Sequence, residues 1–173
     1  MQLIPFSQKH FGILPAWFAD EAAIVQWGGP QLHFPLDAYQ MQAMLDEGAT
    51  YPPRRLCWMA EQNGQWAGHV QLAFDWRNGN ATLGRMVINP ELRGQGFAVP
   101  MLRLVMAQAF AYSQIIRLEL NVYTFNLPAI HTYARLRFVH EGIRRSSVQM
   151  GSDRWDTAMM AILRSEYLVS GLS

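Results

Sequence analysis

The sequence predicts an α/β (α+β) domain on a mixed, mostly antiparallel central sheet of about six to seven strands, with helices on both faces. Two observations carry this. Asn63-Gly64 and Asn78-Gly79 each separate apolar or alternating runs, the strongest short signal for a tight hairpin, so three consecutive antiparallel strands are expected. After Pro90 the alternation stops, and helical and strand-like segments follow each other in turn. No internal repeat, low-complexity tract or Ser/Gly-rich linker interrupts the chain, so residues 1–173 read as one domain.

In chain order, residues 8–24 read as helical, with Pro15 breaking the pattern. Gln26-Trp27-Gly28-Gly29-Pro30 follows as a loop rich in breakers around one large aromatic. Residues 35–47 place Leu36, Tyr39, Met41, Met44 and Leu45 at a spacing compatible with a helix. The three strands span 56–61, 66–75 and 81–88. In residues 96–112, Met101, Leu102, Val105, Met106 and Ala109 recur at helical spacing, while Leu104 and Phe110 widen the apolar surface. A helix this apolar must be covered on most sides, as it is when packed on a sheet. Residues 115–123 form a strand, and Asn126 caps the next helix with Pro128 in its first turn, where a missing N–H costs nothing. Strands at 138–148 and 155–163, joined through Met150-Gly151-Ser152-Asp153, close the domain.

Composition narrows the class. Only 16% of residues are charged, against about 25% in a typical soluble domain. The net charge of +1 supplies no broad basic face for a phosphate backbone, which argues against a nucleic-acid partner. No apolar run reaches the roughly 18 residues that span a bilayer, and no signal peptide is visible, so no membrane partner and a cytoplasmic location are expected. Cys57 is the single cysteine and no Cys/His cluster has zinc spacing, so neither an internal disulfide nor a metal is expected. Of the 14 basic residues, all but Lys9 are arginines. Codon bias accounts for that, and a scarcity of lysine is also compatible with handling an acyl donor that reacts with lysine.

Ile88-Asn89-Pro90-Glu91-Leu92-Arg93-Gly94-Gln95-Gly96-Phe97-Ala98 carries the most information. A strand leads into an Arg, a glycine-rich turn and a long helix. Glycines let backbone N–H groups approach a ligand closely, and the helix N-terminus adds its positive dipole end. Arg93 sets a positive charge beside the turn, and a pyrophosphate is the natural occupant. A dinucleotide fold fits poorly, because a meander precedes the turn and Val99 stands where its third glycine would fall. A P-loop is excluded, since no Gly-Lys-Ser/Thr follows.

Downstream stand Leu120-Asn121-Val122, Asn126, Ala129-Ile130, Tyr133 and Phe138. Together with Arg93-x-x-Gly96-x-Ala98, this pattern closely resembles the GNAT superfamily of acyl-CoA-dependent N-acetyltransferases, over roughly the whole chain and most strongly over residues 83–142. The closing Met159-Met160-Ala161-Ile162-Leu163-Arg164-Ser165-Glu166-Tyr167 looks like the branch containing ribosomal-protein N-terminal acetyltransferases. The resemblance implies transfer of an acetyl group from acetyl-CoA, as co-substrate, to a primary amine by direct attack in a ternary complex. The acceptor is then a peptide N-terminus or a small-molecule amine, and a homodimer is compatible with the pattern.

By the same resemblance, Met86, Val87 and Ile88 offer backbone groups to the pantetheine arm, and an N–H near Val87 polarises the thioester carbonyl. The amides of Arg93, Gly94, Gln95, Gly96, Phe97 and Ala98 hold the pyrophosphate, and Asn126 caps the next helix and touches the coenzyme. Tyr133 corresponds to the general acid that protonates the departing thiolate. The base is less legible: Thr82 and Asn121 stand where relatives place a carboxylate, and Glu119 shares a strand face with Asn121. A water chain is an alternative to Glu119. Arg137 departs from the family's Gly at the helix end; either the helix ends differently, which is the expectation, or the residue reaches the ribose phosphate. The acceptor pocket is expected from Trp27, Asp75, Trp76 and Trp155, with Asp75 and Asp153 as ammonium partners. The missing carboxylates and Arg137 also leave room for a catalytically weak acyl-CoA-binding module with a regulatory role.

Overall fold

The computed structural model describes residues 1–169. Among these, seven strands form one sheet: β1 (Gln2–Pro5), β2 (Arg55–Gln62), β3 (Gln65–Asp75), β4 (Asn80–Ile88), β5 (Arg117–Tyr123), β6 (Val139–Met150) and β7 (Asp153–Leu163). Their spatial order is β1-β2-β3-β4-β5-β7-β6, and every pair is antiparallel except β4 with β5. The helices are α1 (Glu21–Gly28), α2 (Ala38–Gly48), α3 (Ala98–Ala111), α4 (Leu127–Arg135) and α5 (Arg164–Val169).

The hairpins form where expected. Asn63 and Gly64 both have positive φ (53° and 79°), the requirement of a type I′ turn. The Asn78-Gly79 connection is longer, and there only Gly79 has positive φ. Alternation then sorts side chains to two faces. On β2, Trp58 and Ala60 join α3, Tyr133 and Tyr167 in one core, whereas Met59 faces the other way with Ile24 and Trp27 of α1 and Met41 and Met44 of α2. The apolar helix α3 is covered as its pattern requires: Met101, Leu102, Val105 and Met106 are fully buried.

Three expectations change. Residues 8–24 are two short 3₁₀ turns (Gln8–His10 and Leu14–Trp17), and the α-helix starts only at Glu21, where Asp20 accepts the Ala23 N–H at 2.8 Å. The Trp27 segment is the last turn of that helix, which ends at Gly29 with φ 84°. Strand β1 went unseen because four residues are too few to show alternation.

Two irregularities of β4 shape the middle of the sheet. Its pairing with β5 runs from Asn80↔Arg117 to Leu83↔Leu120 and stops, so Gly84 to Ile88 have no ladder partner on that side. Toward β3, Gln71 faces Gly84 and His69 faces Val87, so Arg85 and Met86 together oppose Val70 in a β-bulge. Arg85 has φ 48°, and its carbonyl accepts a hydrogen bond from His69 Nδ1 at 3.0 Å.

Candidate active site

Two cavities open along β4. The larger, about 710 Å³, lies between the second half of the strand and the facing helix starts. Its walls include Met86, Val87 and Ile88 of β4 and Arg93, Gly94 and Gly96 of the glycine-rich turn. Phe97 and Ala98 at the start of α3, and Asn126 and Tyr133 of the α4 region, complete them. The smaller, about 480 Å³, covers the first half, between Thr82–Arg85 and Asn121–Tyr123. Gln26 and Trp27 line both, so the cavities adjoin across the point where β4 and β5 part.

The larger cavity is built for an anion at one end. Gly94 and Gly96 both have positive φ (78° and 83°), and a Cβ at either would meet nothing within 4 Å, so the backbone there is bare to the cavity. No side chain caps α3, which leaves its first N–H groups free for a ligand. Pro100 falls in that first turn and disturbs no helical bond. These features fit the phosphates of a coenzyme A.

Tyr133 lines the same cavity. Asn126 caps α4 by accepting the Ala129 N–H at 3.4 Å, and the helix closes in a Schellman motif: Phe138 N–H to the Tyr133 carbonyl at 3.1 Å and Arg137 N–H to that of Ala134 at 3.0 Å. Arg137 takes φ 69°, so this helix ends in the left-handed conformation after all, with Arg where Gly is easiest. The Phe138 ring packs on the Tyr133 ring at 5.8 Å. This fixes the Tyr133 hydroxyl beside β4, where it donates to Met86 Sδ at 3.6 Å, a weak acceptor. Burial pushes the phenol up to about 12, so it is protonated throughout the neutral range.

The smaller cavity has a different character. Arg55, Arg85 and Arg144 line it, and no Asp or Glu does. Arg55 pairs with Glu47 at 2.5 Å and also donates to Gln71 Oε1 at 3.1 Å. Arg85 donates to the same oxygen at 3.3 Å, and Arg144 donates to Asn121 Oδ1 at 2.7 Å. Burial, aided by the Arg55 charge, brings Arg85 down to about 10, which still leaves it charged at neutral pH. His69 is fully buried behind the bulge, and burial holds it neutral, down to about 3.

A strand that parts from its neighbour, over a bare glycine turn and a helix start, is the geometry the family resemblance implied, and the bulge in it is an addition of the structure. The profile of the Acetyltransferase (GNAT) family matches residues 21–138. The chain belongs to this family. It is a GNAT N-acetyltransferase. The uncharacterised SPbeta prophage-derived N-acetyltransferase YokL of Bacillus subtilis is 27% identical over 137 residues, 79% of this chain and 76% of that one. The spermidine N(1)-acetyltransferase of Vibrio cholerae is 30% identical over 84 residues, 49% of each chain. Among solved structures, a spermidine N-acetyltransferase from Vibrio cholerae in complex with CoA and spermine superposes with a TM-score of 0.81, at 19% identity over 96% of this chain and 97% of that one. A probable acetyltransferase superposes with a TM-score of 0.78, at 18% identity over 95% and 93%. At these identities the structural likeness is one of fold.

Set against the GNAT expectations, most named residues converge. Met86, Val87, Ile88, Arg93, Gly94, Gly96, Phe97, Ala98, Asn126 and Tyr133 share the larger cavity, and Asn121 and Trp27 line the smaller one. Gln95 turns back to the Glu91 carbonyl at 3.5 Å and lines neither. Glu119 also lies outside both; it pairs with Arg117 at 2.8 Å, and Arg117 pairs further with Glu141. The expected acidic acceptor pocket is corrected most. Asp75 binds the N–H and side chain of Asn78 in the hairpin, and Trp76 stacks on Phe74 with its indole N–H on the Pro53 carbonyl. Trp155 packs edge-on against Tyr123 and Phe125, and neither it nor Asp153 lines either of these two cavities. Arg55, Arg85 and Arg144 went unnamed, because they lie on three strands and no local spacing joins them.

Among the described residues, no group of three or more His, Cys, Asp or Glu is placed to hold a metal ion, and no helix is long and apolar enough to cross a membrane.

Proposed function

We propose that this chain transfers an acetyl group from acetyl-CoA to the primary amine of a small acceptor by direct attack in a ternary complex. The observation that carries this is the pair of adjoining cavities on either side of the β4 bulge: one suits the coenzyme, the other the acceptor. The amides of Gly94 and of Gly96 to Ala98, with Arg93, hold the pyrophosphate, and the free edge of Met86 to Ile88 aligns the pantetheine arm. An N–H near Val87 polarises the thioester carbonyl. The amine nitrogen forms its bond to the carbonyl carbon as the C–S bond breaks. The sulfur takes the Tyr133 proton, and the amine's proton passes to solvent, which reprotonates the phenolate.

A phenol at about 12 is a weak acid toward a thiol of pKa about 8.5 in water. The burial that raises the phenol also disfavours the thiolate leaving into the same cavity, which narrows the gap. No carboxylate lines either cavity, and His69 is too weakly basic to serve, so water is the proton acceptor this geometry supports.

The spermidine acetyltransferases among the similar proteins nominate polyamines as acceptors to test, and the ribosomal-protein-like closing segment nominates peptide N-termini. The assay mixes acetyl-CoA with both classes and with small amines, and follows free thiol. Burial pushes the Cys57 thiol up to about 12, and a control without acceptor subtracts any reading it gives. Release of thiol with at least one acceptor is expected. Coenzyme binding with no release for any acceptor would return the chain to an acyl-CoA-binding module.

A further inference from the structure

We infer that the cavity between Thr82–Arg85 and Asn121–Tyr123 takes an amine that carries an anionic group, a carboxylate or a phosphonate, in the same small molecule. This rests on the acetyl-transfer reading above and specifies its acceptor. Arg55 of β2, Arg85 of β4 and Arg144 of β6 converge on one cavity that no Asp or Glu lines. Glu47 pairs directly with Arg55 and reaches Arg85 only through its charge at longer range. Among the described residues, neither Arg85 nor Arg144 has a carboxylate within 4.0 Å. The neutral Oε1 of Gln71 serves two guanidiniums at 3.1 and 3.3 Å, and the neutral Asn121 serves the third.

Holding a guanidinium out of water beside another costs free energy unless an opposite charge offsets it. A guanidinium fork matches a carboxylate or phosphonate closely, so the bound acceptor supplies that charge. A polyamine would instead bring further cations into the same field. A cavity of about 480 Å³ lies within the usual range for small ligands. The cluster also compensates for the missing base. Three positive charges, with Glu47 engaged on Arg55, lower the pKa of an ammonium beside them and favour the neutral amine that must attack.

The test measures thiol release by the full chain with matched acceptors: L-amino acids against their carboxamides, aminoalkylphosphonates against the corresponding alkylamines, and spermidine. Rates are compared as kcat/KM per neutral amine. The acid-bearing member of at least one pair is expected to be favoured tenfold or more, roughly the effect of a single charge-assisted contact. Arg144→Gln, at an exposed side chain, and the conservative Arg85→Lys should both shrink that preference while leaving the Kd for acetyl-CoA unchanged. Inorganic sulfate should compete with the acid-bearing acceptor, and Arg144→Gln should weaken that competition. Equal or better turnover of spermidine and the neutral-tailed amines overturns the inference and leaves acetyl transfer standing. An acid preference untouched in both variants overturns the assignment to these arginines. Failure of every acceptor, despite coenzyme binding, overturns the acetyl-transfer reading itself.

Discussion

His69 gives its Nδ1–H to the carbonyl of Arg85, the residue at the bulge of β4, and its ring meets those of Phe6 and Trp27. Burial lowers its pKa to about 3 from the 6.5 of an exposed histidine. As pH falls below 6.5 the unfolded chain binds a proton here that the folded chain refuses, so this contribution is whole above 6.5 and is lost progressively toward 3. Between about pH 7.5 and about pH 5.5 the loss is on the order of 1 kcal/mol. Urea unfolding at both pH values should show His69→Gln losing that much less than the natural chain; equal losses would remove His69 from the acid limb. Tyr133 differs in kind, because its hydroxyl rests on a thioether and contributes little to stability. Tyr133→Phe is expected to lower kcat by about 10²–10⁴, the usual range for a general acid, with coenzyme affinity unchanged. Unaltered turnover would strip Tyr133 of its role.

At the scale of elements, the helices that carry the site were legible where local chemistry ends or starts them. Asn126 and Pro128 marked the beginning of α4, and the glycine turn marked α3. Its other end was misjudged, because an Arg does not announce a left-handed residue. The two Schellman hydrogen bonds and the Phe138–Tyr133 contact hold Arg137 at φ 69° against its preference. Arg137→Gly should therefore raise the free energy of unfolding by about 1 kcal/mol. No gain in denaturant midpoint would mean that the arginine side chain makes up the difference. The parting of β4 from β5 was expected only through the family resemblance. Neither Gly84 nor Arg85 signals by type that pairing stops beside it.

For the whole molecule, the larger cavity, proposed for the coenzyme, joins β4, the α3 start and α4, elements otherwise linked through the common core beneath them. A ligand that binds only this assembled form stabilises it by mass action. Coenzyme A at about a hundred times its Kd should add about 2.7 kcal/mol to the unfolding free energy, read as a rise in Tm. No rise at saturating coenzyme would deny that this cavity is its site. The order of elements from β2 to β7, the hairpins, the glycine turn and the capped Tyr133 helix were present in the sequence, because each depends on residues close together in the chain. The arginine-lined cavity was not. Asp75 and Trp76 spend their polar groups within the hairpin region, while arginines distant in sequence meet across β2, β4 and β6. A net charge of +1 averages over the surface and conceals three guanidiniums in one small space. Sequence alone determined the mixed sheet with helices on both faces and carried the motifs of the GNAT resemblance, since turns, caps and periodicity are local. Only tertiary structure decided which charges share the cavity proposed for the acceptor, since charge acts through space and strand pairing sets which charges meet.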